Sequence, residues 1–121
     1  MNWIPLFVVV GLVFVFLLWR HLTQISPDQA RRHLAEGALV IDVRTPDEFR
    51  EGHVRDAINI PLGQIVEDIA RQVPDKDRVL LLHCLSGGRS GIATQRLRGQ
   101  GYTRVFNLGS LTRARTVLEG R

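Results

Sequence analysis

One cysteine stands among the 121 residues, Cys84, and the residues that follow it say what it is for. Val79-Leu80-Leu81-Leu82-His83 leads into it, and Leu85-Ser86-Gly87-Gly88-Arg89-Ser90 leads away. An apolar run without alternation predicts a central parallel strand covered on both faces. Gly87 and Gly88 supply backbone that folds tightly and turns its N–H groups inward. Ser90 is suited to cap a helix beginning there. A thiol so placed faces amide donors, the positive end of a helix dipole and Arg89, all of which favour the thiolate. Its pKa is expected to fall from about 8.5 into the range of roughly 3.5–7.5 seen for activated cysteines. The pattern predicts a nucleophile in an anion-binding cradle. The alternative is an inert buried thiol, but such a residue needs neither a tight loop nor a guanidinium.

A second pair with chemical potential is Asp42-x-Arg44, at the end of the apolar run Ala38-Leu39-Val40-Ile41. In open α/β sheets ligands sit beyond the carboxyl ends of the strands, so Asp42 and Arg44 belong on the same rim as Cys84. They are assigned a supporting role, as a structural ion pair or a brace for the loop, and not a catalytic one. His83 is next to the nucleophile, but alternation along a strand sends neighbouring side chains to opposite faces, so it is expected to point away. His53, in Glu51-Gly52-His53, reads as a packed turn residue.

Cys84-Leu85-Ser86-Gly87-Gly88-Arg89-Ser90 resembles the active-site loop of the rhodanese family. The likeness extends upstream through Ile41-Asp42-Val43-Arg44, Glu48-Phe49, Gly52-His53 and Ala57-Ile58-Asn59-Ile60-Pro61, in family order and spacing. Downstream it takes in Gly101-Tyr102 and Val105-Phe106-Asn107-Leu108-Gly109, so that it covers about residues 23–119. One departure concerns the last helix: Gly109-Ser110-Leu111 runs into Thr112-Arg113-Ala114-Arg115, without the Trp usual in the family.

The resemblance implies a sulfurtransferase. Cys84 would take the sulfane sulfur of a small anionic donor such as thiosulfate as a persulfide and pass it to a thiol or cyanide acceptor. Leu85, Ser86, Gly87, Gly88, Arg89 and Ser90 would bind the donor. Neither a metal nor an organic cofactor is implied. Cys-dependent phosphatases and arsenate reductases use a similar loop, but one longer by a residue than the four, Leu85 to Gly88, between Cys84 and Arg89 here. A third reading is a membrane-tethered interaction module that keeps the fold without turnover.

These residues need a frame to hold them. Ser26-Pro27-Asp28-Gln29 predicts a helix start, with Ser as N-cap and Pro in the first position, and that helix stops near Gly37. Thr45-Pro46-Asp47-Glu48 has the spacing of a capping box. Ala57–Ile60 predicts a short strand, and Ile65, Val66 and Ile69 form a helical stripe up to Val73-Pro74. After the Cys84 loop come a helix over Gly91–Gly99, a strand over Thr103–Leu108 and a last helix over Leu111–Leu118. Leu22–Ile25 is expected to add a short edge strand. The alternation predicts an α/β fold, a small parallel sheet of about five strands with helices on both faces.

The remaining stretch is different in kind. Residues 2–19 carry no charge, and all 16 basic and 12 acidic residues lie beyond them. Trp3 to Trp19 is almost wholly Leu, Val, Phe and Ile, and as a helix it spans about 25 Å, within the accepted range for a membrane crossing. Trp at both ends suits the interfacial belt. A cleaved signal peptide would want a basic start and a small-residue cleavage site, and neither Met1-Asn2 nor Trp19-Arg20-His21 offers one. The chain is expected to divide into a transmembrane anchor over 3–19 and a rhodanese-like domain over 22–121. Arg20, Arg31 and Arg32 follow the run and no basic side chain precedes it, so the positive-inside rule puts the domain in the cytoplasm. A lone free thiol agrees with a reducing compartment.

Charge is uneven: from Arg20 to Asp77 there are 8 basic and 11 acidic residues, but from Arg78 onward 8 basic and only Glu119 acidic. Such a basic half is either suited to anionic substrates, acidic partners or anionic lipid, or is simply a solvated face. Nucleic acid is not an expected partner, since the chain has one lysine and no nucleic-acid-binding motif.

Overall fold

The computed structural model describes residues 2–119, so the last two residues of the expected domain lie outside the described residues. Four parallel strands form the sheet, in the order β2-β1-β3-β4. They are β1 (Leu39–Asp42), β2 (Ile58–Asn59), β3 (Leu80–His83) and β4 (Val105–Gly109). Every position of β3 is buried, which explains its unalternated apolar sequence: it is central and both of its faces are covered.

The helices divide between those faces. On one, Ile65 and Ile69 of α4 (Ile65–Gln72) and Ala93 and Leu97 of α5 (Gly88–Gly99) pack on Ile41, Leu80 and Leu82. On the other, Ala30 of α2 (Pro27–Ala35) and Ala114 and Val117 of α6 (Leu111–Glu119) pack on Val40 and Leu81. Each large aliphatic side chain so enclosed contributes about 1.5–3 kcal/mol. The last helix manages without the family Trp by burying Ala114, Val117 and Leu118. The Arg31 guanidinium of α2 adds a hydrogen bond to the Val117 carbonyl at 3.0 Å.

Local signals set the helix starts. The Ser26 hydroxyl accepts from the Gln29 amide at the head of α2. At α3 (Pro46–Glu51) the Thr45–Glu48 capping box is complete in both directions. Each cap satisfies amides that would otherwise lack partners.

The first helix, α1 (Ile4–Thr23), has 20 residues, none of them buried. Its mean hydropathy of 2.2 makes it long and apolar enough to cross a membrane. The helix runs past the expected end at Trp19, and the Thr23 hydroxyl bonds back to the Trp19 carbonyl at 2.7 Å. This continuation uses up the residues expected to form a fifth strand. Leu22 and Thr23 are helical, and only Gln24 makes a parallel bridge, to Asn107. The count of about five strands is therefore corrected to four, flanked by a single rung.

Candidate active site

Cys84 sits directly after β3, where its amide donates to the Gly109 carbonyl at 3.1 Å. That bond ties the cysteine to the end of β4. Beyond it the chain turns sharply through Gly87, whose φ of +100° is left-handed and favours glycine. An added Cβ there would also meet Gln24 Nε2 at 3.2 Å and Gly109 Cα at 3.4 Å. The turn brings the Gly87 amide to 3.0 Å and the Ser90 amide to 3.4 Å from Cys84 Sγ.

Because Gly87 is itself the N-cap, α5 starts at Gly88, earlier than the Gly91 expected from sequence. Ser90 is thus not the cap but lies within the first turn, with its hydroxyl turned inward. That hydroxyl reaches Asn107 Oδ1 at 2.7 Å, the Gly87 carbonyl at 3.1 Å and Cys84 Sγ at 3.5 Å. Burial pushes the thiol up, but the Ser90 hydroxyl and the Ser90, Gly87 and Ser86 amides outweigh it and hold Cys84 below its ordinary value. The hydroxyl has one proton and a nearer acceptor in Asn107, so the amides supply the steady part of this effect.

Arg89, which the thiol was expected to face, is itself paired with a carboxylate. Its two terminal nitrogens grip Glu48, with Nη1 at 2.6 Å from Oε1 and Nη2 at 3.0 Å from Oε2. The Arg89 guanidinium, with help from the Thr45 amide, holds the Glu48 carboxyl down at about 2. One carboxylate thus closes the capping box of α3 and anchors the arginine of the Cys84 loop. Sequence reasoning used Glu48 as a capping residue and as part of the family likeness, but not as the partner of Arg89. Leu85 is exposed, Ser86 bridges to Ser110, and a Cβ on Gly88 would meet nothing within 4 Å. The loop is open on that side.

Asn107 is a further residue whose role the sequence reading missed. It is buried in β4, where its Oδ1 accepts from the Ser90 hydroxyl and, at 2.9 Å, from the Gly109 amide. The available signal was an Asn inside an apolar strand, since a buried amide must find partners.

Asp42 and Arg44 form a separate buried unit at the end of the neighbouring strand. Arg44 Nη2 lies 2.7 Å from Asp42 Oδ2 and donates to the Gly52 carbonyl at 2.8 Å, while the Arg44 amide donates to Asp42 Oδ1 at 2.9 Å. The geometry is that of a brace between β1 and the end of α3. His83 stands opposite Asp42 in the β1–β3 register. It lies on the other face from Cys84, as strand alternation requires. Burial lowers its pKa despite the nearby Asp42 carboxylate. His53 stacks on Phe49 at 3.7 Å between ring centroids, a packing contact.

The rhodanese-like domain profile matches residues 26–112, the stretch that carries the sheet and the whole cradle. The chain belongs to the rhodanese-like family. It is 46% identical over 71 residues to the thiosulfate sulfurtransferase PspE of Escherichia coli, a match covering 59% of this chain and 68% of that protein. It is 36% identical over 85 residues to the thiosulfate sulfurtransferase GlpE of Pseudomonas entomophila, covering 70% of this chain and 76% of that protein. Among solved structures, a rhodanese from E. coli described with anions superposes with a TM-score of 0.62 at 43% identity, over 64% of this chain and 91% of that one. The enzyme class these relatives represent is the rhodanese-type sulfurtransferase.

Proposed function

We propose that this chain is a membrane-anchored sulfurtransferase that carries sulfane sulfur as a Cys84 persulfide. The observation that carries the reading is the set of amides converging on one buried sulfur, with Gly87 N at 3.0 Å. Donors already in place stabilise a developing anion without reorganising. The Cys84 thiolate attacks the outer sulfur of thiosulfate. A sulfur–sulfur bond forms at Cys84 as the donor's sulfur–sulfur bond breaks, and its electron pair leaves with sulfite. Cyanide, or a thiolate in the cell, then attacks the outer sulfur of the persulfide. Thiocyanate or a new persulfide departs, and the Cys84 thiolate returns. The displacement requires no cofactor.

The loop from Leu85 to Ser90 binds the anionic donor, its amides around the sulfur and Arg89 at the rim. Asp42 and Arg44 support it from the neighbouring strand. The test is thiosulfate:cyanide turnover by the full-length chain in detergent. Arg89→Ala is expected to raise KM for thiosulfate about tenfold while the pH profile of Cys84 alkylation stays close to wild type, because the amides and not the guanidinium hold the thiolate. An unchanged KM would remove Arg89 from donor binding.

The anchor reading rests on an α1 with no buried residue, bearing Trp3 and Trp19 near its two ends. Arg20 in its last turn, with Arg31 and Arg32 shortly beyond, favours the cytoplasm for the domain. In inverted membrane vesicles added protease is expected to degrade the domain, and in right-side-out vesicles to spare it. The opposite pattern would put the cysteine outside the cytoplasm.

A further inference from the structure

Two sets of contacts join the end of α1 to the loop that holds Cys84, and both pass through Gln24 or its neighbour. The backbone set runs through β4. The Ile25 amide donates to the Asn107 carbonyl at 3.0 Å, and the Asn107 side chain in turn holds the Ser90 hydroxyl and the Gly109 amide.

The side-chain set is more direct. Gln24 lies across the two left-handed glycines of the cradle, Gly87 and Gly109. Added Cβ atoms would stand 3.2 Å and 2.7 Å from Gln24 Nε2 at those two positions. Gly87 provides the nearest amide on the sulfur, and the Gly109 carbonyl holds the Cys84 amide. Gln24 therefore lies beside both backbone segments that fix the sulfur. Trp19, one turn back in α1, reaches the second turn of α5, where a Cβ on Gly91 would lie 3.5 Å from Trp19 Cη2.

We infer that Gln24 is a positioning residue for the chemistry at Cys84, so that the exit of α1 and the catalytic loop form one mechanical unit. The inference rests on the sulfur-transfer reading for its meaning, but not for its test. Gln24 makes no contact with the reacting atoms. It acts by filling the space beside Gly87 and Gly109, so that the amides keep their aim at the sulfur. A helix that only localises the domain would end in a slack linker, and this one ends in a rung of the sheet.

The experiment measures two quantities on the full-length chain in detergent: the pH dependence of Cys84 alkylation by iodoacetamide, and kcat/KM for thiosulfate. Gln24→Ala opens the space. Its alkylation midpoint is expected to move to higher pH, and kcat/KM to fall about tenfold, as misplaced groups at a reacting centre do. Gln24→Met keeps the length without the amide and is expected to stay near wild type. Leu22→Ala, at a position 72% exposed on the same helix, is expected to change neither quantity. Should Gln24→Ala not fold, Gln24→Asn, one methylene shorter, carries the same expectations. Wild-type alkylation and turnover in the Gln24 variant, whether or not its melting temperature moves, would overturn the inference. Iodoacetamide reports the thiolate whether or not sulfur is transferred. A wild-type chain inactive with thiosulfate would thus remove the proposed function, while an alkylation shift would still uphold the role of Gln24.

Discussion

Replacing Cys84 by serine is expected to reduce thiosulfate:cyanide turnover to the assay background, a loss of several orders of magnitude. A hydroxyl in the same cradle keeps its proton near neutral pH and forms no persulfide. The substitution barely changes size, and the cysteine amide's own bond to the Gly109 carbonyl is untouched. The melting temperature is therefore expected to stay close to wild type, which separates lost chemistry from lost fold. Residual turnover in Cys84→Ser would place the sulfur carrier elsewhere. As Cys84 is the only cysteine, no other thiol of the chain is available for that role.

Arg44→Ala is expected to have the largest effect on stability, about 3–5 kcal/mol, as when one partner of a buried ion pair is removed. Asp42 is fully buried and would lose the guanidinium that now faces both of its oxygens. The Gly52 carbonyl would lose its donor too. Lysine does not restore the arrangement, because a single ammonium lacks the planar fork that spans a carboxylate and a carbonyl together. Urea denaturation followed by circular dichroism reads the change directly. A midpoint near wild type for Arg44→Ala would mean that the pair is structurally idle. Turnover lost without stability would move Asp42 and Arg44 from support into the chemistry.

What the sequence made legible was local. Ser26 and Thr45 mark helix starts because capping depends on residues within one turn. The β3 run marks a central strand because burial on both faces leaves no polar position. The Cys84 loop is readable for the same reason, as its donors follow it within six residues. Even the direction of His83 followed from the two-residue period of a strand.

What escaped was set at long range or by backbone conformation. Glu48 meets Arg89 across 41 residues, and no spacing rule announces such a pair. Asn107 meets Ser90 only because β4 lies beside β3. The left-handed turn at Gly87 moved the start of α5 ahead of Ser90 and turned that hydroxyl from a cap into a neighbour of the sulfur. The missing fifth strand has a similar origin. α1 continues through Leu22 and Thr23, whose hydroxyl bonds back to the Trp19 carbonyl, until a single residue is left to pair.

The account rests on a sulfur anion being stable at position 84 and able to hold a second sulfur. The most direct measurement is intact-protein mass spectrometry of the full-length chain after incubation with thiosulfate and removal of excess donor. The expected result is a gain of one sulfur atom, located at Cys84 and discharged by cyanide. A chain of unchanged mass whose Cys84 still reacts readily with iodoacetamide would contradict it, leaving a reactive thiol that carries no sulfur.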